Sequence, residues 1–156
     1  MIEGRLCERK MVRFKNLMTG LLLCSCGVVY ADMPRTDLNI GLYRIEAEIA
    51  ANQGDRMQGL MQRRGMASHQ GMVFSFTFVD RHCMWMKNTL LPLSVGFLDE
   101  TGVILNIEDM QPQTETSHCA GGPAKYALEM NQGWFAQRGL KAGMRVSGLD
   151  HLPPAR

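Results

Sequence analysis

A chain of 156 residues that is 46% hydrophobic and 21% charged can bury one ordinary core, which excludes collagen-like, disordered and disulfide-dominated scaffolds. Five of the 17 Lys and Arg and two of the 15 Asp and Glu precede Asp32, leaving 12 bases against 13 acids, a formal charge of −1. The basic balance of the whole chain thus belongs to its N-terminal stretch. Nothing after it carries the electrostatic footprint of a nucleic-acid-binding domain.

Residues 11–31, MVRFKNLMTGLLLCSCGVVYA, read as a secretory signal peptide. Arg13 and Lys15 supply the positive flank. Leu17 to Val29 is apolar but too short to cross a bilayer core of about 30 Å as a helix. Val29-Tyr30-Ala31 is a small-x-small cleavage site, so cleavage is expected after Ala31. The expected location is periplasmic or secreted, with no transmembrane helix in the mature chain. A lipoprotein anchored at Cys26 is the alternative, although Leu23-Cys24-Ser25-Cys26 is a poor lipobox. Met1 and Met11 both remain open as the start, and Ile2-Glu3-Gly4-Arg5, which matches a protease-tag sequence, is read as coincidence.

The expected division is a leader over 1–31, a loose linker over 32–39, one β domain over 40–149 and a tail over 150–156. Tyr43, Ile45, Ala47 and Ile49 alternate with Arg44, Glu46 and Glu48, a period of two that predicts a strand with one wet face. Residues 52–55 read as a turn. Met57, Leu60 and Met61 then recur at helical spacing, predicting a short helix over 55–64 capped by Asp55. GMVFSFTF, 71–78, predicts a buried strand, and CMWMKNT a strand fragment ahead of Pro92. Asp99-Glu100-Thr101-Gly102 predicts a hairpin turn with the returning strand antiparallel. A long polar loop over 111–122 precedes the strand YALEMN. A short helix stopped by Gly139 and a last strand near Val146 follow. Short strands with two short helices between them predict a mainly β fold, a barrel-like sandwich.

Removal of the leader leaves two cysteines, Cys83 and Cys119. In an oxidising compartment they form a candidate disulfide; two separate buried thiols are the alternative. The dipeptides His82-Cys83 and His118-Cys119 raise a zinc site, and Met84 and Met86 would add soft donors for Cu(I). The spacing lacks a compact ligand motif, and adjacent strand residues face opposite ways. No cofactor is therefore expected. No nucleophile, base and orienting group can be read together either, so catalytic residues stay unknown and an enzyme is not the favoured reading.

One lysine and one glutamate sit in otherwise apolar runs: Lys87 after Met84-Trp85-Met86, and Glu129 within YALEMN. An unpaired buried ammonium costs several kcal/mol. Lys87 is therefore expected either to reach water along its stem or to pair with Glu129. A purely structural pair fixing strand register is one reading. The other is a small-molecule pocket lined by Trp85, Lys87, Asn88, Glu129 and Asn131, a few polar groups on an apolar wall.

GLMQR (59–63), GMVFSF (71–76), MWMKNTLLPLSVGFLDETGVI (84–104), YALEMNQGW (126–134) and GLKAGMRV (139–146) resemble the family known as domain of unknown function 192. The resemblance covers about residues 40–149. It implies a compact, mainly β barrel-like sandwich, often exported from bacteria, with no established activity. Met86, Lys87, Asn88, Thr89, Pro92, Glu129, Asn131 and Gly133 match the family motif. Met84 stands where the family often has an aromatic. The family commonly lacks Cys83 and Cys119, which suits a stabilising bridge better than a shared site. Three functions follow as expectations. The first is an exported binding or accessory domain acting on an unknown small molecule or periplasmic protein. The second is a structural or interaction module, and the third an acid–base enzyme using Lys87 and Glu129.

Overall fold

Alternating apolar side chains build two layers on one curled sheet. The computed structural model describes residues 33–156, which contain nine strands: β1 (Arg35–Ile40), β2 (Tyr43–Ala50), β3 (Gln70–Asp80), β4 (Cys83–Met84), β5 (Leu93–Leu98), β6 (Ile104–Met110), β7 (His118–Cys119), β8 (Ala124–Asn131) and β9 (Val146–Ser147). Seven form one sheet in the order β6-β5-β8-β3-β2-β1-β9, and β4 pairs with β7 separately. Only the β2–β3 pair of the large sheet is parallel; its other pairs are antiparallel.

The two ends of the sheet meet. The N–H groups of Ile104 and Val146 donate to the carbonyls of Met144 and Gly102, each at 2.8 Å, and Val103 bridges Arg145 antiparallel. Gly102, at φ +82°, ends the Asp99 turn and passes so close to β9 that an added Cβ would lie 2.5 Å from the Val146 carbonyl oxygen. Only glycine meets both demands without strain. The result is a barrel-like β fold. Its inner face carries Leu38, Ile45, Val73, Leu98, Leu128 and Trp134 among others. Full burial of each aliphatic side chain contributes about 1.5–3 kcal/mol.

A second apolar cluster occupies the outer face, with Ala50, Met72, Phe74, Val95, Phe97 and Ala127 in it. Two loop segments lie over this face. Residues 59–69 contribute Leu60, 2% exposed, and residues 84–92 contribute Met86, fully buried.

Several expectations need correction. Residues 35–39, expected as linker, belong to β1, which pairs along its whole length with β2. Only Leu38 and Ile40 of that strand are apolar and buried, too few to show a period, and the exposed face is held by Asp37 accepting from the Arg44 guanidinium. The tail also folds back. Leu149–His151 form a 3-10 turn, and the Arg156 N–H donates to the Ala51 carbonyl at 2.9 Å. The first helix, α1, spans Gln53–Gln58 rather than 55–64. Asn52, not Asp55, caps it, its Oδ1 accepting from the Asp55 N–H at 2.9 Å. Gly59, at φ +47°, ends α1 early and leaves Met57 exposed. The second expected helix is a single 3-10 turn, Ala136–Arg138, closed by left-handed Gly139. Of the expected strand CMWMKNT, only Cys83–Met84 pairs. The leader, its cleavage site and the Cys26 alternative lie outside the described residues.

Candidate functional site

Glu129 sits in the middle of the outer face. Across the sheet it stands opposite Met72 of β3 and Val95 of β5, and antiparallel partners share a face. Gly71 permits this packing, since an added Cβ there would lie 2.5 Å from the Glu129 carbonyl oxygen and collide with Met130 Sδ. Glu129 is 4% exposed. Its carboxyl has no hydrogen bond or ion pair among the described residues. Burial, which disfavours the charged form, pushes its pKa to about 8. At neutral pH the group is a buried carboxylic acid, able to donate one hydrogen bond and accept others.

The loops above it are fastened by backbone. The Gln62 N–H donates to the Asn88 carbonyl at 3.0 Å, joining the two covering segments. Asn131 Nδ2 donates to the Met66 and Ala67 carbonyls at 3.1 and 3.2 Å. The Met86 N–H donates to Thr114 and the Gln113 N–H to Thr89, at 3.0 and 3.1 Å. Within the second segment, the Thr89 N–H donates to the Met86 carbonyl at 3.0 Å, and Asn88 holds φ +57°. Asparagine tolerates that left-handed conformation better than most residues. Cys83 and Cys119 stand directly opposite each other in the β4–β7 pair and are joined as a disulfide, S–S 2.04 Å. That bridge ties the foot of the 84–92 segment to the end of the 111–119 loop.

The expected Lys87–Glu129 pair is absent. Lys87 lies on the outer side of the tight turn, its Nζ 3.3 Å from Glu115 Oε1 and 5.3 Å from the centre of the Trp85 ring. Trp85 is 49% exposed. The physical reason is that residues 85–92 are not a strand, so Lys87 is free to keep its ammonium in water. Glu129 points into the apolar layer below. The five expected pocket residues thus divide. Trp85 and Lys87 form an outer surface with Glu115, and Glu129 lies beneath. Asn88 shapes the turn, and Asn131 ties down residues 66 and 67.

Sequence reading missed a second buried carboxyl. Glu48 of β2 shares the row of Met72 and Glu129 and is buried, not on a wet face. Arg63 grips it through both guanidinium nitrogens, Nη1 to Oε1 at 2.6 Å and Nη2 to Oε2, and Arg35 Nη2 lies 3.5 Å from Oε1. The one signal in the sequence was that Arg63 closes a segment already singled out, GLMQR. At the other end of the row Glu108, opposite Val95, lies 3.8 Å from His118 Nδ1. His82 stacks on Phe76 with ring centres 3.7 Å apart. Both sulfurs of the His82, Cys83, His118, Cys119 alternative are engaged in the disulfide, which removes the thiolates that a zinc site there would need. Among the described residues no three His, Cys, Asp or Glu side chains group to hold a metal, and no helix is long and apolar enough to cross a membrane. Two surface depressions, one of about 310 Å³ beside Tyr126 and Arg145 and one of about 530 Å³ beside Asn106 and Phe135, include none of the five expected residues.

Similarity to known proteins falls on this same domain. No curated protein sequence matches the chain. A crystal structure of a candidate transcription regulator from Sinorhizobium meliloti is 32% identical, with a TM-score of 0.73 over 76% of this chain and 96% of that one. A protein of unknown function from Novosphingobium aromaticivorans is 29% identical, with a TM-score of 0.70 over 74% of this chain and 86% of that one. The family described as "Uncharacterized ACR, COG1430" matches residues 36–148, a span that includes β1 as well as the loops over Glu129, and the chain belongs to that family, DUF192.

Proposed function

We propose that the protein is an exported small-molecule-binding or accessory domain whose ligand reaches Glu129 under the 59–69 and 84–92 segments, with Trp85 and Lys87 at the rim. One observation carries this reading: Glu129 is buried with no side-chain partner. Burial disfavours the charged form of an acid that no neighbouring side chain neutralises, so a stability role alone gives no reason for an acid there. A ligand that hydrogen-bonds it supplies that reason. Export is supported by the signal-like leader and by a disulfide that an oxidising compartment maintains. Nucleic acid is not the favoured partner, because the chain after Ala31 has a formal charge of −1.

A second reading is a structural or interaction module. It is favoured by Asn88 and Asn131, which are occupied with shaping and fastening the covering loops. Thermal-shift measurements against periplasmic metabolites and glycans separate the two. The binding reading expects a compound that raises the melting temperature of the wild type but not of Glu129→Gln. If every compound that stabilises the wild type stabilises Glu129→Gln equally, the ligand does not use Glu129 and the binding site is misassigned.

A further inference from the structure

The large sheet ends on β6, and its closure onto the opposite end stops at one residue of that strand. Beyond the bonds that Ile104 makes with Met144 and Gly143, no strand of the sheet lies alongside β6. Alternation fixes where its backbone points. The Gln132 N–H donates to the Pro92 carbonyl at 3.0 Å, so Pro92 and every second residue after it bond toward β8, and Leu93, Val95 and Phe97 bond toward β6. Their partners there are Met110, Glu108 and Asn106. Ile107 and Asp109, which stand between those partners, therefore direct their N–H and C=O groups away from the sheet. Both line the depression of about 530 Å³ beside β6.

Native sheets usually blunt or cover such an edge. Here it borders an apolar floor made by Ile107 with Phe135 and Leu140, which are 1% and 6% exposed. Gly96 lets Phe135 lie against the sheet, since an added Cβ would be 3.2 Å from Phe135 Cζ and 3.9 Å from Ile107 Cγ1. Two exposed, opposite charges line the same depression, Asp109 and Lys141. The Asp109 carboxylate is oriented by Ser94, whose hydroxyl donates to Oδ1 and accepts from the Gly133 N–H at 2.8 Å. Lys141 has no ion-pair partner among the described residues. Glu108, which also lines the depression, faces His118. The chain after Lys141 joins β6 at Ile104 through the Gly143 N–H, so Lys141 lies toward the Ile104 end of the open edge and Asp109 toward the other.

We infer that this depression binds a short free peptide, added in extended form to the edge of β6, with its amino end at Asp109, its carboxyl end at Lys141 and an apolar side chain on the Phe135 floor. The outward N–H and C=O groups of Ile107 and Asp109 supply main-chain hydrogen bonds, and the floor supplies a side-chain pocket, which is how sheet edges recognise extended peptides. The charges set the direction. An amine at Asp109 and a carboxylate at Lys141 run the peptide antiparallel to β6. They also select free termini, which an internal loop of a partner protein lacks. The volume is in the range of small-ligand sites. None of these groups belongs to the layer around Glu129, so the inference stands independently of the site proposed there.

The test titrates the exported protein, disulfide intact, with trileucine in a calorimeter, and repeats the titration with N-acetyl-trileucine and with trileucine amide. The expected result is one peptide bound per chain, with each capped peptide at least about fivefold weaker on the wild type. Acetylation should cost nothing further in Asp109→Asn, and amidation nothing further in Lys141→Ala. Because the caps alter the peptide and not the protein, the comparison on the wild type does not depend on any variant folding. Hydrogen exchange at the Ile107 and Asp109 amides should slow when trileucine is bound. No binding of trileucine, binding indifferent to both caps, or unchanged exchange at those two amides overturns the inference. Binding that is lost in Glu129→Gln but kept in Asp109→Asn also overturns it, and places the peptide under the covering loops instead. Failure of trileucine to bind leaves the Glu129 reading untouched, since that reading is scored by the separate thermal-shift comparison with Glu129→Gln.

Discussion

Burial of Glu129 has a measurable cost that depends on pH. Its carboxyl is pushed from 4.5 to about 8, so between those values the folded chain holds a proton that the unfolded chain has released. Folding then becomes less favourable as pH rises. This group's penalty is absent below the unfolded value, grows by about 1.4 kcal/mol per pH unit through the window, and levels off above the folded value. From about pH 4.5 to about pH 7 the loss comes to about 3 kcal/mol, a large share of an ordinary domain's stability. Other carboxyls tilt the curve the opposite way. Asp37 is held low by its hydrogen bond to Arg44. Asp99, which burial alone would raise, is brought below the ordinary range by hydrogen bonds from Val103 and Thr101. Both contribute stability that is lost as pH falls through their lowered values. The quantity to measure is therefore the difference between wild type and Glu129→Gln in urea unfolding across that pH range. The amide cannot ionise, so the variant should gain on the wild type by about 3 kcal/mol between about pH 4.5 and about pH 7. A difference that stays constant with pH would refute the placement of an ionisable, unpartnered acid in this layer.

Further outcomes follow from the same contacts. Replacing both Cys83 and Cys119 by Ser opens a loop with a sequence separation of 36 and should cost about 4 kcal/mol in the chain-entropy description. The wild type, denatured without reductant, should titrate with no free thiol from this pair. Arg63→Leu leaves Glu48, whose side chain is 8% exposed, with only the longer Arg35 contact. A loss of about 3 kcal/mol in denaturant unfolding is expected, and an unchanged midpoint would show the fork to be dispensable. Lys87→Ala should cost less than about 1 kcal/mol, because the Lys87–Glu115 pair is solvated at both ends; a severe loss would mean that Lys87 has a buried role. Mass spectrometry of the exported protein should find Asp32 at its N-terminus, and a lipid on Cys26 or a retained leader would contradict the expected processing.

The path from residues to site was legible unevenly. The Asp99–Gly102 turn could be read because its signals are local: Asp99 Oδ1 accepts from the Thr101 and Val103 N–H groups at 2.8 and 2.9 Å, and Gly102 takes the positive φ. The disulfide could be read as a candidate because Cys83 and Cys119 are the two cysteines after residue 31. Lys87 misled because its surroundings in sequence, Met84-Trp85-Met86, resemble a core strand. Only Met86 of the three is buried, and the turn at Asn88 releases Lys87 to Glu115. Glu48 misled in the other direction. Its alternation with Ile45, Ala47 and Ile49 marks an outer face, and no local signal says that the outer face is covered.

The sequence by itself determined the family, the alternating strands and the main turns, and offered Cys83 and Cys119 as a candidate pair that the structure joins, since each depends on near neighbours, on composition or on a shared motif. Only the tertiary structure decided which charges are dry. That depends on two loops laid over the outer face by contacts between distant residues. Asn131 reaches Met66 across 65 positions of chain, and Gln62 bonds to Asn88. Removing water from Glu48 and Glu129 while leaving it on Lys87 is a property of that covering layer, and no periodicity within a single segment encodes it.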